Sequence, residues 1–284
     1  MALFTNQATL SYNNTTTTSN IVTGELLEVL SATKNSLDDT YNYGDTVTYV
    51  ISIINTGTAA FNNLTITDDL GEYNIGLLTR APLTYVDGSV TYYANGVLQS
   101  TATAIAGPPL VISGINVPAG GNALILYEAK VNEYAPLVSG STIINNATIL
   151  GAGLSTPIEV TDTITVANAA NLTITKSISP ETVAENGQLT YTFIIQNTGN
   201  TPAVATDNVT VTDQFNPILE NITVTLNSVT LVEPTQYTYN ETTGLFQTIA
   251  GVITVPAATY TQDITTGQWN IVPGVTVLTV TGIV

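Results

Sequence analysis

The chain of 284 residues contains no cysteine and no histidine, and only 4 of its residues are lysine or arginine. Without cysteine there are no disulfides, thiol nucleophiles or iron–sulfur ligands, and without histidine the commonest zinc ligand is gone as well. Histidine is also the most frequent general acid–base group, so any catalysis falls to carboxylates. Charge of either sign is scarce at 9% of residues, yet the 21 acidic side chains leave a net charge of -17. Such a surface repels nucleic-acid phosphates and anionic lipid headgroups. The acidic residues are scattered, with no loop of calcium-ligand spacing, and no metal or cofactor is expected. Apolar runs of the ~18–20 residues that span a membrane are missing too. The opening residues 1–14 lack the basic and apolar regions of a secretory leader. Met1, the only methionine, is expected to mark the natural start, which leaves lysis of a mother cell as the expected route to the outside.

What the chain does have is apolar content of 44% set among threonine, asparagine, serine and glycine. β-branched and aromatic residues fit a pleated, half-buried surface, so this is a β-protein palette. It is also written twice. Lys34, Tyr49, Asn55, Thr56 and Gly57 return as Lys176, Tyr191, Asn197, Thr198 and Gly199 inside TYVISIINTG and TYTFIIQNTG. NLTITDD from Asn63 returns as NVTVTDQ from Asn208, Val117-Pro118-Ala119 returns as Val255-Pro256-Ala257, and the run 138–150 aligns with 272–284. Internal repetition on this scale means tandem domains.

Val47, Tyr49, Ile51 and Ile53 alternate with Thr48, Val50, Ser52 and Ile54, and Leu189, Tyr191, Phe193 and Ile195 repeat the phase. A period of two is a strand period. Each of these strands stops at Asn-Thr-Gly, where Gly57 and Gly199 are expected to supply a positive φ. Many short strands punctuated by proline predict an all-β chain of two tandem immunoglobulin-like antiparallel sandwiches. The expected division is an N-terminal β-strand arm at 1–30, a first sandwich at 31–165 and a second at 170–284.

The phrase TxSxxPxTVxxxGxxTYTFxIxNTGN at 175–200, followed by NVTVTD, resembles the bacterial surface-repeat family known as domain of unknown function 11. The first copy departs from it with Leu37-Asp38 in place of Ser179-Pro180. The resemblance covers nearly the whole chain and implies β-sandwich repeats with structural or adhesive roles at a cell wall or spore surface. It further implies a closing strand of the form Asn-x-Ala-Thr, which Asn145, Asn146, Ala147 and Thr148 supply.

The extreme N-terminus carries the same signature. Aligning Ala8 with Ala147 places Asn6 on Asn145, so the chain opens with what reads as the tail of another domain. Thr276 to Val284 is placed at the closing-strand position of the second domain, with Thr279 where Asn145 stands. An incomplete sandwich leaves an edge of unpaired backbone groups, a template for strand addition. The expected subunit interface therefore joins Leu3, Phe4, Asn6, Ala8, Leu10 and Ile21 of one copy to Thr276, Leu278, Val280 and Ile283 of the next, the alternative being that residues 1–24 fold back onto their own first domain as an extra hairpin or stay a disordered polar tail. Contacts that do not close on themselves build filaments.

Surface sandwiches of related architecture also join a first-strand lysine to a last-strand asparagine, aided by a buried carboxylate. On that resemblance Lys34 is the candidate to join Asn145, and Lys176 to take Asn6 from a neighbour, since burial favours the neutral, nucleophilic amine; the alternative reading of each lysine is a side chain snorkelling from a strand edge with no bond formed. Other features read as structure. The N-x-[ST] sites at Asn63, Asn146, Asn171, Asn208, Asn221 and Asn240 follow from composition, Asp68-Asp69 and Asp38-Asp39 point to opposite faces of a strand, and Tyr49 and Tyr191 fall in the core phase while Trp269 stands alone. The expected function is non-enzymatic: a structural subunit of a bacterial cell-surface or spore-surface fibre, polymerising with itself and attached to a surface protein or glycan. The alternative is a monomeric adhesin or glycan-binding module, with a carboxylate-only enzyme third.

Overall fold

The computed structural model describes residues 2–100 and 102–284, and it contains no α-helix among them. The chain divides into two compact units, one of Met1–Ala135 with Thr142–Thr165 and one of Pro136–Ser141 with Val166–Val284. Residues 136–141 thus pack with the second unit, not with the first sandwich as the sequence suggests.

β1 (Ala2–Asn6), β2 (Thr9–Tyr12), β3 (Thr15–Thr18) and β4 (Val22–Leu26) form a self-paired ribbon, β1 against β4 and β2 against β3. Asn13 and Asn14 close it with φ of 44° and 62°, the two-residue turn with positive φ whose twist matches a hairpin. Ser19 N donates to Ala8 O across the irregular middle of the ribbon. Every described side chain from Leu3 to Thr23 is exposed. The arm is therefore a hairpin rather than a single free strand, because its second half supplies the backbone partners of its first.

The first unit continues with β5 (Leu30–Ser36), β6 (Thr40–Tyr41), β7 (Thr46–Asn55) and β8 (Phe61–Asp68). β9 (Tyr73–Ile75), β10 (Leu78–Arg80), β11 (Leu83–Tyr85), β12 (Thr91–Ala94), β13 (Val97–Leu98) and β14 (Thr103–Ile105) are short. β15 (Leu110–Val117), β16 (Asn122–Val131), β17 (Thr142–Leu150) and β18 (Ile158–Val166) complete it. One sheet runs β13-β12-β16-β7-β5, with β11 also on β16, and the other runs β14-β15-β8-β17-β18-β6. Val47, Tyr49, Ile51 and Ile53 all point into the core between them, as their alternation predicts.

The second unit holds β19 (Leu172–Ser179), β20 (Gln188–Asn197), β21 (Thr212–Gln214), β22 (Glu220–Leu226) and β23 (Val229–Thr230). β24 (Tyr237–Asn240), β25 (Leu245–Thr248), β26 (Thr259–Gln262), β27 (Trp269–Val272) and β28 (Gly274–Ile283) follow. Its larger sheet, β23-β22-β28-β20-β19, repeats the first unit's β13-β12-β16-β7-β5 strand for strand. Its smaller sheet, β24-β25-β21, repeats only β14-β15-β8. Among the described residues, nothing in this unit stands where β17, β18 and β6 stand in the first, and β21 is an edge.

This overturns the sequence placement of the C-terminal strand. Tyr49 pairs with Tyr127 across β7 and β16, as Tyr191 pairs with Val280 across β20 and β28, so β28 is the counterpart of β16 and not of β17. Thr276, Leu278 and Val280 are fully buried, with Leu278 and Val280 packed in the core, and β28 is hydrogen-bonded on both sides, to β20 and to β22. Ile283, only partly buried, pairs with Gln188. None of these four residues lies on an open border.

The Asn-Thr-Gly ends of β7 and β20 also work differently from expectation. Gly57 and Gly199 are not among the positive-φ glycines. They are needed for close approach: a Cβ on Gly199 would fall 2.1 Å from the Ala169 carbonyl oxygen, and one on Gly57 would fall 2.7 Å from a Val29 methyl. The asparagine is the tie. Buried Asn55 donates to the carbonyls of Ala59 and Pro118 and accepts from Gly57 N, and buried Asn197 donates to Thr201 and Pro256 and accepts from Gly199 N. The Val-Pro-Ala repeat read from the sequence is the acceptor of this bond in both units.

Candidate functional site

β5 carries Lys34 into the core of the first unit because its position pairs with Ile51, which is fully buried. The opposite sheet meets it there with Asp68, the last residue of β8, and Asn145 in β17. Lys34 is 3% exposed, and Asp68 and Asn145 are wholly buried. The Lys34 Nζ donates to Asp68 Oδ2 at 2.7 Å and to the main-chain carbonyl of Asn145 at 3.0 Å. The Tyr127 hydroxyl donates to the same carboxylate oxygen, Asn145 Nδ2 donates to the Tyr127 hydroxyl at 3.3 Å, and Leu70 N donates to Asp68 Oδ1 at 2.9 Å. Tyr49 stacks on Tyr127 and lies under the ammonium at 5.0 Å.

This cluster is polar, buried and only partly satisfied. The Tyr49 hydroxyl and Asn145 Oδ1 have no hydrogen-bond partner of good geometry. Burial holds the Lys34 amine below its ordinary value, although Asp68 pulls the other way. Burial pushes the Tyr127 hydroxyl well up, with the neighbouring Asp68 adding to it, and burial likewise pushes Tyr49 up. A lysine favoured toward its neutral form, a carboxylate in contact with it and a carboxamide side chain on the next strand are the components of amide exchange.

The second unit has half of this arrangement. Lys176 and Asp213 stand where Lys34 and Asp68 stand in the repeat, and they form a close ion pair. The Lys176 ammonium lies over the rings of Tyr191, Phe193 and Phe215 at 4.3, 5.5 and 5.4 Å. Here, however, the side chains are 40% and 19% exposed, whereas Lys34 and Asp68 are at 0%. Ile174 and Ile178 share the phase of Lys176 on β19 and are 53% and 38% exposed. Ile174 pairs with buried Ile195, so it lies on the face that would be core if a second sheet covered it.

Of the residues singled out in the sequence, the structure brings Lys34 and Asn145 together and places Lys176 beside Asp213 without an asparagine. Asn6 is exposed on the hairpin with Phe4, Ala8 and Leu10 at every second position, and Leu3 lies in the opposite phase. Phe4 lies over Gly24, whose missing side chain makes room for the ring. Asp68 and Tyr127 were not singled out as site residues. The repeat of Asp68 as Asp213 is the signal that finds the first, while Tyr127 has no counterpart. Asp69 does turn away from Asp68, accepting bonds from Asn146 and Gly71. Glu28 and Glu159 both line an open cleft with Phe61 and Leu154, but both are exposed. No cluster of metal-ligating groups occurs among the described residues, and no helix is long and apolar enough to cross a membrane.

No family model matches the chain, and no curated protein matches it. Among solved structures, a variant of the major pilin subunit of Bacillus cereus aligns with 95% of this chain and 73% of its own at 11% identity, TM-score 0.39. The pilus backbone protein of Streptococcus pneumoniae aligns with 86% of this chain and 55% of its own at 12% identity, TM-score 0.34. A C-terminal fragment of a major pilin of Streptococcus agalactiae aligns with 56% of this chain and 67% of its own at 12% identity, TM-score 0.36. The chain thus spans about half of the pneumococcal protein's length.

Proposed function

We propose that this chain is a non-enzymatic structural subunit of a fibre on a bacterial cell or spore surface, assembled head to tail when the N-terminal hairpin of one copy completes the second unit of the next. The observation that carries this reading is the mismatch between the two units. In the first, β17 pairs with β8 and β18 pairs with β17, extending the sheet that covers Lys34; in the second, the equivalent sheet stops at β21 and leaves Ile174, Ile178 and Lys176 uncovered. The hairpin at residues 2–26 ends a similar distance before its lysine as β18 does, and its described side chains from Leu3 to Thr23 are exposed. An uncovered strand edge beside an apolar face is a site for strand addition. Charge supports the same assignment. In a protein of net charge -17, residues 1–24 carry no charged side chain, so this segment approaches another copy with little Coulomb penalty.

Within the first unit, Lys34 forms an amide with the Asn145 side chain, releasing ammonia, with Asp68 as the positioned proton carrier. Such a bond ties β5 to β17 across the core and makes the unit resist extension along a shaft.

Electron microscopy of the purified protein at rising concentration tests the assembly. Full-length protein is expected to form filaments, and protein lacking residues 1–26 to stay monomeric; filaments of equal length from both would remove the hairpin from the mechanism. The covalent bond is tested by intact mass, which is expected to fall short of the sequence mass by one ammonia in protein whose hairpin has been deleted.

A further inference from the structure

The uncovered ion pair of the second unit has a specific deficiency. The first unit holds lysine, aspartate and asparagine together, with the asparagine in the sheet opposite the lysine. The second holds the lysine and the aspartate, and its two sheets contain no strand at the asparagine's place. The hairpin, conversely, carries an asparagine with no lysine or aspartate. In β17 the buried residues are Ile143, Asn145, Ala147 and Ile149. At the same two-residue spacing the hairpin presents Phe4, Asn6, Ala8 and Leu10. Asn145 pairs across its hairpin with Asp162, and Asn6 pairs with Val22, so Asn6 and Val22 present one face together. From Asp162 to Lys176 the chain runs 14 residues, and from Val22 to Lys34 it runs 12. The hairpin and the β17–β18 pair each come just before a lysine-bearing first strand, although β17–β18 is one ladder of constant register and the hairpin pairs β1 with β4 and β2 with β3 in registers that differ by one residue.

We infer that Asn6 of one copy forms an amide bond with Lys176 of a second copy, Asp213 carrying the proton, so that each joint of the fibre is covalent. The inference rests on the hairpin-donation reading above. In chemical terms, Lys176 first loses a proton to solvent. The Nζ lone pair of the neutral amine then adds to Asn6 Cγ, the bond from Cγ to Nδ2 breaks, and a proton from Nζ leaves with Nδ2 as ammonia. The products are a secondary amide and ammonia, with no change of oxidation state and no co-reactant. Docking of the hairpin supplies the missing condition. It covers Lys176 as β17 covers Lys34, excludes water from Asp213 and brings the carboxamide to the amine, which converts a bimolecular encounter into a positioned reaction. Val22, in place of Asp162, leaves Asp213 as the carboxylate facing the amine from within the joint.

The test uses two full-length variants, Asn6→Ala and Lys176→Ala, alone and mixed, read by denaturing electrophoresis after boiling and by electron microscopy. Wild-type protein is expected to give a ladder of covalent multimers whose masses lack one ammonia per joint in addition to the one lost within each chain. Each variant alone is expected to give no ladder. The mixture is expected to give covalent dimers and nothing longer, because the only permitted joint runs from the Asn6 of the Lys176→Ala chain to the Lys176 of the Asn6→Ala chain. Filaments of wild-type protein that dissolve to monomers overturn the bond while leaving hairpin donation standing. A ladder that survives in either variant overturns the residue assignment, and wild-type protein that forms neither filaments nor ladder overturns both readings.

Discussion

At the scale of single residues, the first unit turns on a lysine buried between its two sheets. Among the described residues Asp68 is the carboxylate bonded to Lys34, and removing one partner of a fully buried pair costs about 3–5 kcal/mol because the other charge stays behind. In an Asn145→Ala background, where Lys34 stays free, Asp68→Ala is therefore expected to lower unfolding free energy by that amount in denaturant titration, and in the otherwise wild-type chain it is expected to restore the full sequence mass. The pH response separates bonded from unbonded protein. Where Lys34 is free, its lowered native value means that the unfolded chain binds more protons below the ordinary 10.5, so stability rises with pH toward about 10. The buried tyrosines act with the opposite sign. Tyr41, Tyr49 and Tyr127 are held above their ordinary value of 10.0, so above that pH the unfolded chain binds fewer protons and stability falls. Thermal melts of an Asn145→Ala variant are expected to show both limbs, and the ammonia-lost wild type only the alkaline fall.

At the scale of elements, two hairpins of like sequence are in opposite states. Ile164 in β18 is fully buried, whereas Ile21 beside β4 is 62% exposed. Truncating a buried isoleucine removes about 2–5 kcal/mol, while an exposed one away from packed features stays within about 0.5 kcal/mol. Ile164→Ala is expected to lower the stability of the first unit accordingly. Ile21→Ala is expected to leave monomer stability unchanged yet slow filament growth, read by light scattering. Equal loss of stability in both would mean that the hairpin is already packed in the monomer.

At the scale of the whole molecule, the two units differ in completeness and should differ in melting. The first has two six-stranded sheets, and the second has one of five and one of three, with a further pair, β26 and β27, apart from them. Calorimetry of protein lacking residues 1–26 is expected to show two transitions, the lower belonging to the second unit. On the hairpin-donation reading, a synthetic peptide of residues 2–26 carrying Asn6→Ala is expected to bind the folded second unit and not the unfolded chain, and so to raise the lower transition by an increment that grows with the logarithm of peptide concentration. The wild-type peptide, which can form the amide, is expected to raise it further and to keep the increment after free peptide is removed. Assembly should also quicken with added salt, as copies of charge -17 repel one another less when screened.

Period-two alternation is a local property, so the sequence alone determined the strands, their buried faces, the doubling of the domain and the positions of Lys34, Lys176, Asn6 and Asn145. Which strand lies beside which is a matter of hydrogen bonds between residues far apart in the chain, and only the tertiary structure decided it. The alternation from Thr276 to Ile283 suits a closing strand and a central one equally; pairing with both β20 and β22 made it central. Likewise Gly57 and Gly199 read as turn glycines until the folded chain brought other segments against them. Asp68 became the partner of Lys34 for the same reason: 34 residues of chain separate them, and the packing of one sheet on the other closes the gap.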